Sequence, residues 1–361
     1  MKNKLPSVPP PLSEEEKQLI FAIKQQTRKY NQNNVTRTAA YFQFYIRHPE
    51  IHWALLGHMV SRNGGWSMTD LKGELLTKLL PKRDQRAFYL FLERGNWLIF
   101  QDVYPQFLLY EQSLKTRREM FDLLPCFHVS TFIETLWRYF WNTEDRYTLA
   151  IATVINEQSY LEQRVIQHDH FKKTVTATVG FKLYDFLRFN NILFPYYGDG
   201  NEQRALLIGD TLRHFTSLHH RILLGKRLYK LLFRHENILQ GVLKWAQNHP
   251  HTGSRKDYWP DVFNDVKESD PRSLYIPRVK NCKLRKGADR LYSPPLKYAW
   301  PNMHHEAAEI KDWFSDWHIM DYLKDEEVDI DGKVFGEYCK TLEKIELAVM
   351  AKEAVLLRDG E

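Results

Sequence analysis

The stretch "HPEIHWALLGHMVSRNGGWSMTDL", residues 48–71, gathers His48, His52 and His58 with Glu50, the Arg62–Asn63 pair and a double glycine. Imidazoles and a carboxylate at this density suit metal chelation. The spacing argues against it. At about 100° per residue, His52 and His58 stand roughly 120° from alignment on a straight helix. His48 precedes Pro49 and is biased away from helical geometry. The stretch reads better as a helix over 50–63. Pro49 suits its first turn, and Trp53, Leu56, Met59 and Val60 recur at three- and four-residue steps. Asn63-Gly64 would end it, with Gly64 in the left-handed conformation and Arg62 facing the negative end of the dipole. Ser67 and Asp70 resemble a capping box for a next helix through Leu75, Leu76 and Leu79 to Pro81.

Two other patterns mimic metal sites. "MHHEAAEI" puts His305 and Glu309 at i, i+4, flanked by His304 and Glu306. One imidazole and one carboxylate do not complete a shell, and the order is not H-E-x-x-H. A solvated first helical turn accounts for the same residues. "EEVDIDGKVFGEY" alternates Glu327, Asp329 and Asp331 before Gly332, as a calcium loop does, but Tyr338 stands where the bidentate Glu belongs and Glu337 is one place early. No metal and no cofactor is expected.

The polar residues set into apolar helices form a more coherent group: Arg62 and Asn63; Glu93, Asn96, Gln101 and Asp102; Asn156, Glu157 and Gln163. Glu93 and Asn96 share a face at i, i+3, and Asn156 and Gln163 at i, i+7. If these helices pack together, a sealed, mutually hydrogen-bonded network would fix their register. The functional version is a polar pocket with Glu93, Asp102 or Glu157 as general base and Arg62 as anion clamp.

Charge gives the strongest physical signal. The chain carries +6 overall, yet 306–361 holds sixteen acidic and seven basic residues, leaving +15 on the first 305. Seven Lys or Arg against Asp210 fall in 204–234, and seven against Asp289 in 278–297. Arg221, Lys226, Arg227, Lys230, Lys283, Arg285, Lys286 and Arg290 are the candidate contacts to a polyanion, with Tyr292, Tyr298 and Trp300 near the second block. The competing reading lays the acidic segment on these blocks and neutralises them within the fold.

The elements that must position these groups are mainly helical. Of 361 residues, 43% are hydrophobic and 14% aromatic, enough for one large core. A Pro-rich lead (1–12) precedes a helix opened by a Ser13–Glu16 capping box. Apolar periodicity places further helices near 35–47, 84–114 (bent or broken before Pro105), 130–142, 145–167, 176–193, 203–216, 218–234 and 236–248. "KKTVTATV" at 172–179 alternates like a strand. The helical core is read as 13–248. From 249 to 303 the chain turns irregular, basic and Pro-rich, pinned by Tyr258, Trp259, Tyr275, Tyr292 and Trp300. Acidic closing helices near 304–323 and 334–357 pack on the core. Cys126, Cys282 and Cys339 are far apart and odd in number, which speaks against a disulfide framework or thiolate zinc and fits a reducing cytoplasm. No signal peptide is visible, and no run of about 18 apolar residues crosses a membrane.

With "ERGNWLIFQDVYPQFLLYE" at 93–111 and "VINEQSYLEQRVIQ" at 154–167, the opening stretch resembles an uncharacterised family of Gram-positive bacterial proteins, domain of unknown function 2515. The resemblance covers most of the chain after about residue 30. It implies a cytoplasmic bacterial protein and supplies no activity, ligand or catalytic residue. The residues themselves favour a non-enzymatic helical protein binding nucleic acid or an acidic protein through its basic blocks. An enzyme with a pocket among Arg62, Glu93, Asn96, Asp102, Asn156 and Glu157 is the alternative.

Overall fold

The computed structural model describes residues 11–176, 191–198, 201–212, 214–270, 274–324, 330 and 332–358. The fold is mainly α. Helix α1 (Glu14–Tyr30) opens with the expected capping box: Ser13 Oγ accepts from Glu16 N, and the Glu16 carboxylate accepts from Ser13 N. Asn33 and Thr36 build a second such box for α2 (Asn34–Arg47). Helix α6 (Thr131–Thr143) is capped by Ser130 and α7 (Arg146–Leu161) by Asp145, each side chain accepting a first-turn N–H.

Helix α3 (His52–Asp70) runs a full two turns past the expected stop. Gly64 and Gly65 lie inside it, and Gly64 has no positive φ. The double glycine is there for close approach: a Cβ on Gly65 would lie 2.3 Å from Asn34 Oδ1 and from His251 Nε2. Ser67–Asp70 is therefore no N-terminal box. Asp70 closes α3 and takes the Arg255 guanidinium, 2.7 Å from Nη2. After the short α4 (Leu76–Leu79), α5 (Lys82–Thr116) passes through Pro105 without a break. Asp102 and Gln106, on either side of the proline, are anchored to Asn156 and Trp137 and hold the helix in place.

Helix α7 is buried at every position from 149 to 156 and forms the central post of the bundle. It ends in a π-helical turn over Glu162–Ile166. A second π-helical turn, Lys172–Thr176, replaces the start of the expected 172–179 strand, whose remainder lies outside the described residues. Most of the expected 176–193 helix does too. The expected helix over 203–216 is instead strand β2 (Asn201–Thr211), antiparallel to β1 (Asn191–Gly198). Leu206, Leu207 and Ile208 suit either period. A strand forms because Gly209 lets the two backbones meet: a Cβ there would sit 1.9 Å from Ile192 O. Helices α8 (Leu218–Phe233) and α9 (Glu236–Asn248) follow where expected.

From 249 to 303 the chain holds single turns and two-residue strands: β3 (Phe263–Asn264) pairs with β6 (Leu291–Tyr292), and β4 (Val279–Lys280) with β5 (Lys283–Leu284). Tyr258, Trp259 and Tyr275 are buried. Residues 304–316 carry no helix, and only a 3-10 stretch, Trp317–Leu323, follows, so the first closing helix is not formed. Three of the segment's backbone carbonyls are bonded to side chains of the core: Arg94 donates to Glu306 O, Arg164 to Glu309 O, and Gln163 to Trp313 O. The last helix, α10 (Phe335–Arg358), is present. Cys282 and Cys339 form a disulfide, with Cα atoms 5.2 Å apart across 57 residues of sequence. The bond corrects the expectation drawn from the three widely spaced cysteines: the fold brings the β4–β5 hairpin against α10, which spacing along the chain does not show.

Candidate functional site

Helices α3, α5, α7 and α8 do not close completely on one another. They leave a cavity of about 250 Å³. For scale, a cavity of about 150 Å³ takes a benzene molecule. Among the described residues its wall is mostly apolar and aromatic, with Tyr41, Trp53, Phe88, Phe91 and Leu228 prominent. Gly95 makes room on α5: a Cβ there would meet only Leu161, at 3.7 Å. Gly225 serves packing, because α8 presses on Val154 at that point.

The polar part of the wall is small and organised. Gln158 Nε2 donates to Glu157 Oε1 at 3.1 Å, and Gln158 Oε1 accepts from Arg221 Nε at 3.0 Å. Arg221 is in turn tied to Glu162 and to Phe215 O. The chain of bonds fixes the Gln158 amide as a donor toward Glu157. No cation pairs with Glu157 among the described residues. Burial pushes its carboxyl up to about 8, the Asp102 charge adds to this, and the Gln158 and Trp53 hydrogen bonds oppose it. On the other side, Asn96 Oδ1 accepts from Asn34, which also donates to Ser61 O and Oγ. Asn63 works as a strand partner: its amide accepts from Leu193 N at 2.8 Å and donates to Leu193 O at 2.9 Å, holding β1 against α3.

Asn63, Asn96 and Glu157 thus line the cavity, while Arg62, Glu93, Asp102 and Asn156 do not. Glu93 pairs with Arg37 at 2.5 Å, both about 1% exposed, and His305 Nε2 lies 3.6 Å from its other oxygen. Burial raises the Glu93 carboxyl, but Arg37 and His305 outweigh it and hold it below the usual range. Asp102 accepts from Asn156 at 2.6 Å and from Gln106 at 3.0 Å, and Asn156 Oδ1 accepts from Ser130 Oγ and Trp313 Nε1. Burial pushes Asp102 up to about 7. Arg62 is fully buried behind these knots. It donates to His249 O at 2.6 Å and stacks 4.3 Å from the Trp245 ring, and burial brings it down to about 10.

The histidines are dispersed. His48 sits between Glu50 and Glu111, His52 bonds Tyr229 OH at 2.8 Å, and His58 bonds Thr38 O at 2.8 Å. His305 lies against Glu93 while Glu309 offers its carbonyl to Arg164, so the two do not converge. Glu327, Asp329 and Asp331 lie outside the described residues.

The basic candidates divide. Arg221, Arg227 and Arg290 bind Glu162, Asp210 and Glu268. The Lys226 ammonium is buried against the carbonyls of Tyr322 and Lys324. Lys230 is half-buried on α8. Lys283, Arg285 and Lys286 are exposed on the β4–β5 hairpin, with Lys280 beside them. The acidic α10 does rest on this block, but through backbone groups: the buried Glu346 accepts from Arg278 N at 2.6 Å and Val279 N at 3.0 Å, and Glu343 from Asn281 N.

Sequence reasoning missed Arg37, Asn34, Gln158 and the wall position of Arg221. "NNVTRTAA" in α2 held the signal: an Asn and an Arg at helical spacing inside an apolar face need buried partners.

Fold and site together define a helical protein with an apolar interhelical cavity that carries, among the described residues, a single carboxyl without a cation. The chain belongs to the family described as protein of unknown function (DUF2515), whose model matches residues 29–332. It is 38% identical over 299 residues to the uncharacterized protein YppC of Bacillus subtilis (strain 168), covering 82% of this chain and 84% of that one. No solved structure matches the chain. Among the described residues no helix is long and apolar enough to cross a membrane.

Proposed function

We propose that the protein binds a small, largely apolar molecule in the cavity between α3, α5, α7 and α8. The observation that carries this is the unfilled space itself, walled largely by apolar and aromatic side chains. Protein interiors rarely leave voids larger than a water molecule, and pockets with apolar walls and few polar groups are the usual ligand sites. The alternative of a catalytic pocket contracts to the same place, with Asn63, Asn96 and Glu157 on the wall. Titration of intrinsic tryptophan fluorescence with toluene tests the proposal, since Trp53 lines the space. Saturable quenching in the natural chain and its loss in Gly95→Leu, which fills the space, is the expected result. Equal, non-saturating responses in both would count against it.

A second reading, polyanion binding, retains one specific observation. Lys280, Lys283, Arg285 and Lys286 are exposed together and none has an ion pair among the described residues. The Cys282–Cys339 bond sets them beside exposed Lys340 and Lys344 of α10. An anisotropy titration of a labelled single-stranded oligonucleotide should then show affinity falling linearly in log–log with salt. Charge reversal at Lys283, Arg285 and Lys286 should flatten the slope. No salt-sensitive binding at low ionic strength would leave an acidic protein as the partner to seek. A cytoplasmic location is part of the same proposal and requires the Cys282–Cys339 pair to be reduced in the cell.

A further inference from the structure

The cavity wall has a one-sided electrostatic character. Glu157 is its carboxyl, held by hydrogen bonds from Gln158 and Trp53. Arg221, the cation on the wall, is committed to Glu162, Gln158 and Phe215 O. Gln158 cannot turn to offer its oxygen, because Arg221 holds it. The titratable and charged groups facing Glu157 are Tyr41 from α2, Asp102 from α5, and Arg221 of α8 with its partner Glu162, while Trp53 of α3 offers its N–H. Asp102, like Glu157, has amide donors and no ion pair among the described residues. The aromatic side chains of Tyr41, Trp53 and Phe91 also line the wall, and aromatic rings attract cations. Among the described residues of the wall, no cation is left unpaired to receive an anion.

We propose that the cavity's ligand is an organic ammonium ion, its N–H groups donating to the Glu157 carboxylate and its hydrocarbon part packed among Tyr41, Trp53, Phe91 and Leu228. This rests on the cavity reading above. The pairing has a proton signature. Without ligand Glu157 is protonated at neutral pH, its carboxyl standing at about 8. Binding an ammonium ionises it, so the carboxyl proton goes to solvent as the ion pair forms. A neutral ligand of the same shape would instead accept a hydrogen bond from the protonated acid and release nothing.

Benzylamine and benzyl alcohol share a ring and differ in charge, which makes them the probes. Calorimetric titration of the full chain from about pH 6 to about pH 9 should show benzylamine affinity rising up to roughly tenfold per unit below about 8, then levelling. Buffers of different ionisation enthalpy should report close to one proton released per benzylamine at neutral pH. The benzyl alcohol affinity should stay flat or fall. In Glu157→Gln, checked for folding by circular dichroism, the preference for the amine should disappear. Should Glu157→Gln fail to fold, the pH slope and proton count of the natural chain decide alone. If benzyl alcohol binds as well as benzylamine at every pH, the ammonium inference is overturned and the cavity reading stands. If neither binds, the cavity reading falls and takes this inference with it.

Discussion

Arg37 and Glu93 meet at 2.5 Å with about 1% of either side chain exposed. The pair joins α2 to α5. Losing one member of such a pair leaves a buried charge. Glu93→Gln should therefore destabilise the protein by about 3–5 kcal/mol. Its folded-state carboxyl is held below the usual range. The stabilisation is thus present above the unfolded value of about 4.3 and lost as pH falls through the lower folded value. Urea midpoints for the natural chain and the variant at neutral pH check this; coincident curves would contradict it.

Asp102 and Glu157 work in the opposite sense. Their folded-state values, about 7 and about 8, lie above the unfolded ones. Their contribution is fully present below about pH 4 and is lost as pH rises through about 7 to 8. Stability should therefore decline across that window by a few kcal/mol, which is an order-of-magnitude figure. Asp102→Asn should flatten the decline. A denaturation series that is equally steep in natural chain and variant would place the titrating group elsewhere.

The adjacent glycines of α3 should behave differently. A methyl on Gly64 would lie 3.2 Å from the Asn96 amide, which can shift slightly, and helix propensity would gain about 1 kcal/mol. Gly64→Ala should be close to neutral. Gly65→Ala drives a methyl into the Asn34–His251 hydrogen bond and should cost at least about 2 kcal/mol. Thermal midpoints of the two variants compare them directly, and equal midpoints would refute the assignment.

Cys282 and Cys339 close a loop across 57 residues, so the bond should contribute about 4 kcal/mol by constraining the unfolded chain. Alkylation of denatured, unreduced protein should label Cys126 alone. Labelling of all three cysteines in rapidly quenched cells would match a reducing compartment, and a lower thermal midpoint should follow reduction.

Much of the helical frame was legible because capping and period agree. Ser13–Glu16 gave the start of α1, and the apolar steps of α2, α8 and α9 gave those helices closely. The misses have physical causes. Gly64-Gly65 has the chemistry of a helix stop, but the need for Asn34 and His251 to approach α3 explains it instead. Leu206-Leu207-Ile208 fits two periods, and only pairing with β1 decides between them. His305 and Glu309 share a face only on a helix, and residues 304–316 are not one. Of the candidate polar residues, Asn63, Asn96 and Glu157 line the cavity. Sequence could not separate these three, which face space, from Glu93, Asp102 and Asn156, which face partners, because that distinction arises only when α3, α5 and α7 are packed.

The most direct measurement is an anomalous difference map from crystals soaked in bromobenzene, a neutral guest whose bromine marks its own position. A bromine peak is expected inside the cavity bounded by Trp53, Phe91, Gly95 and Leu228, absent from Gly95→Leu crystals treated in the same way. Well-ordered crystals with no peak there, or with the same peak in Gly95→Leu, would contradict the cavity reading.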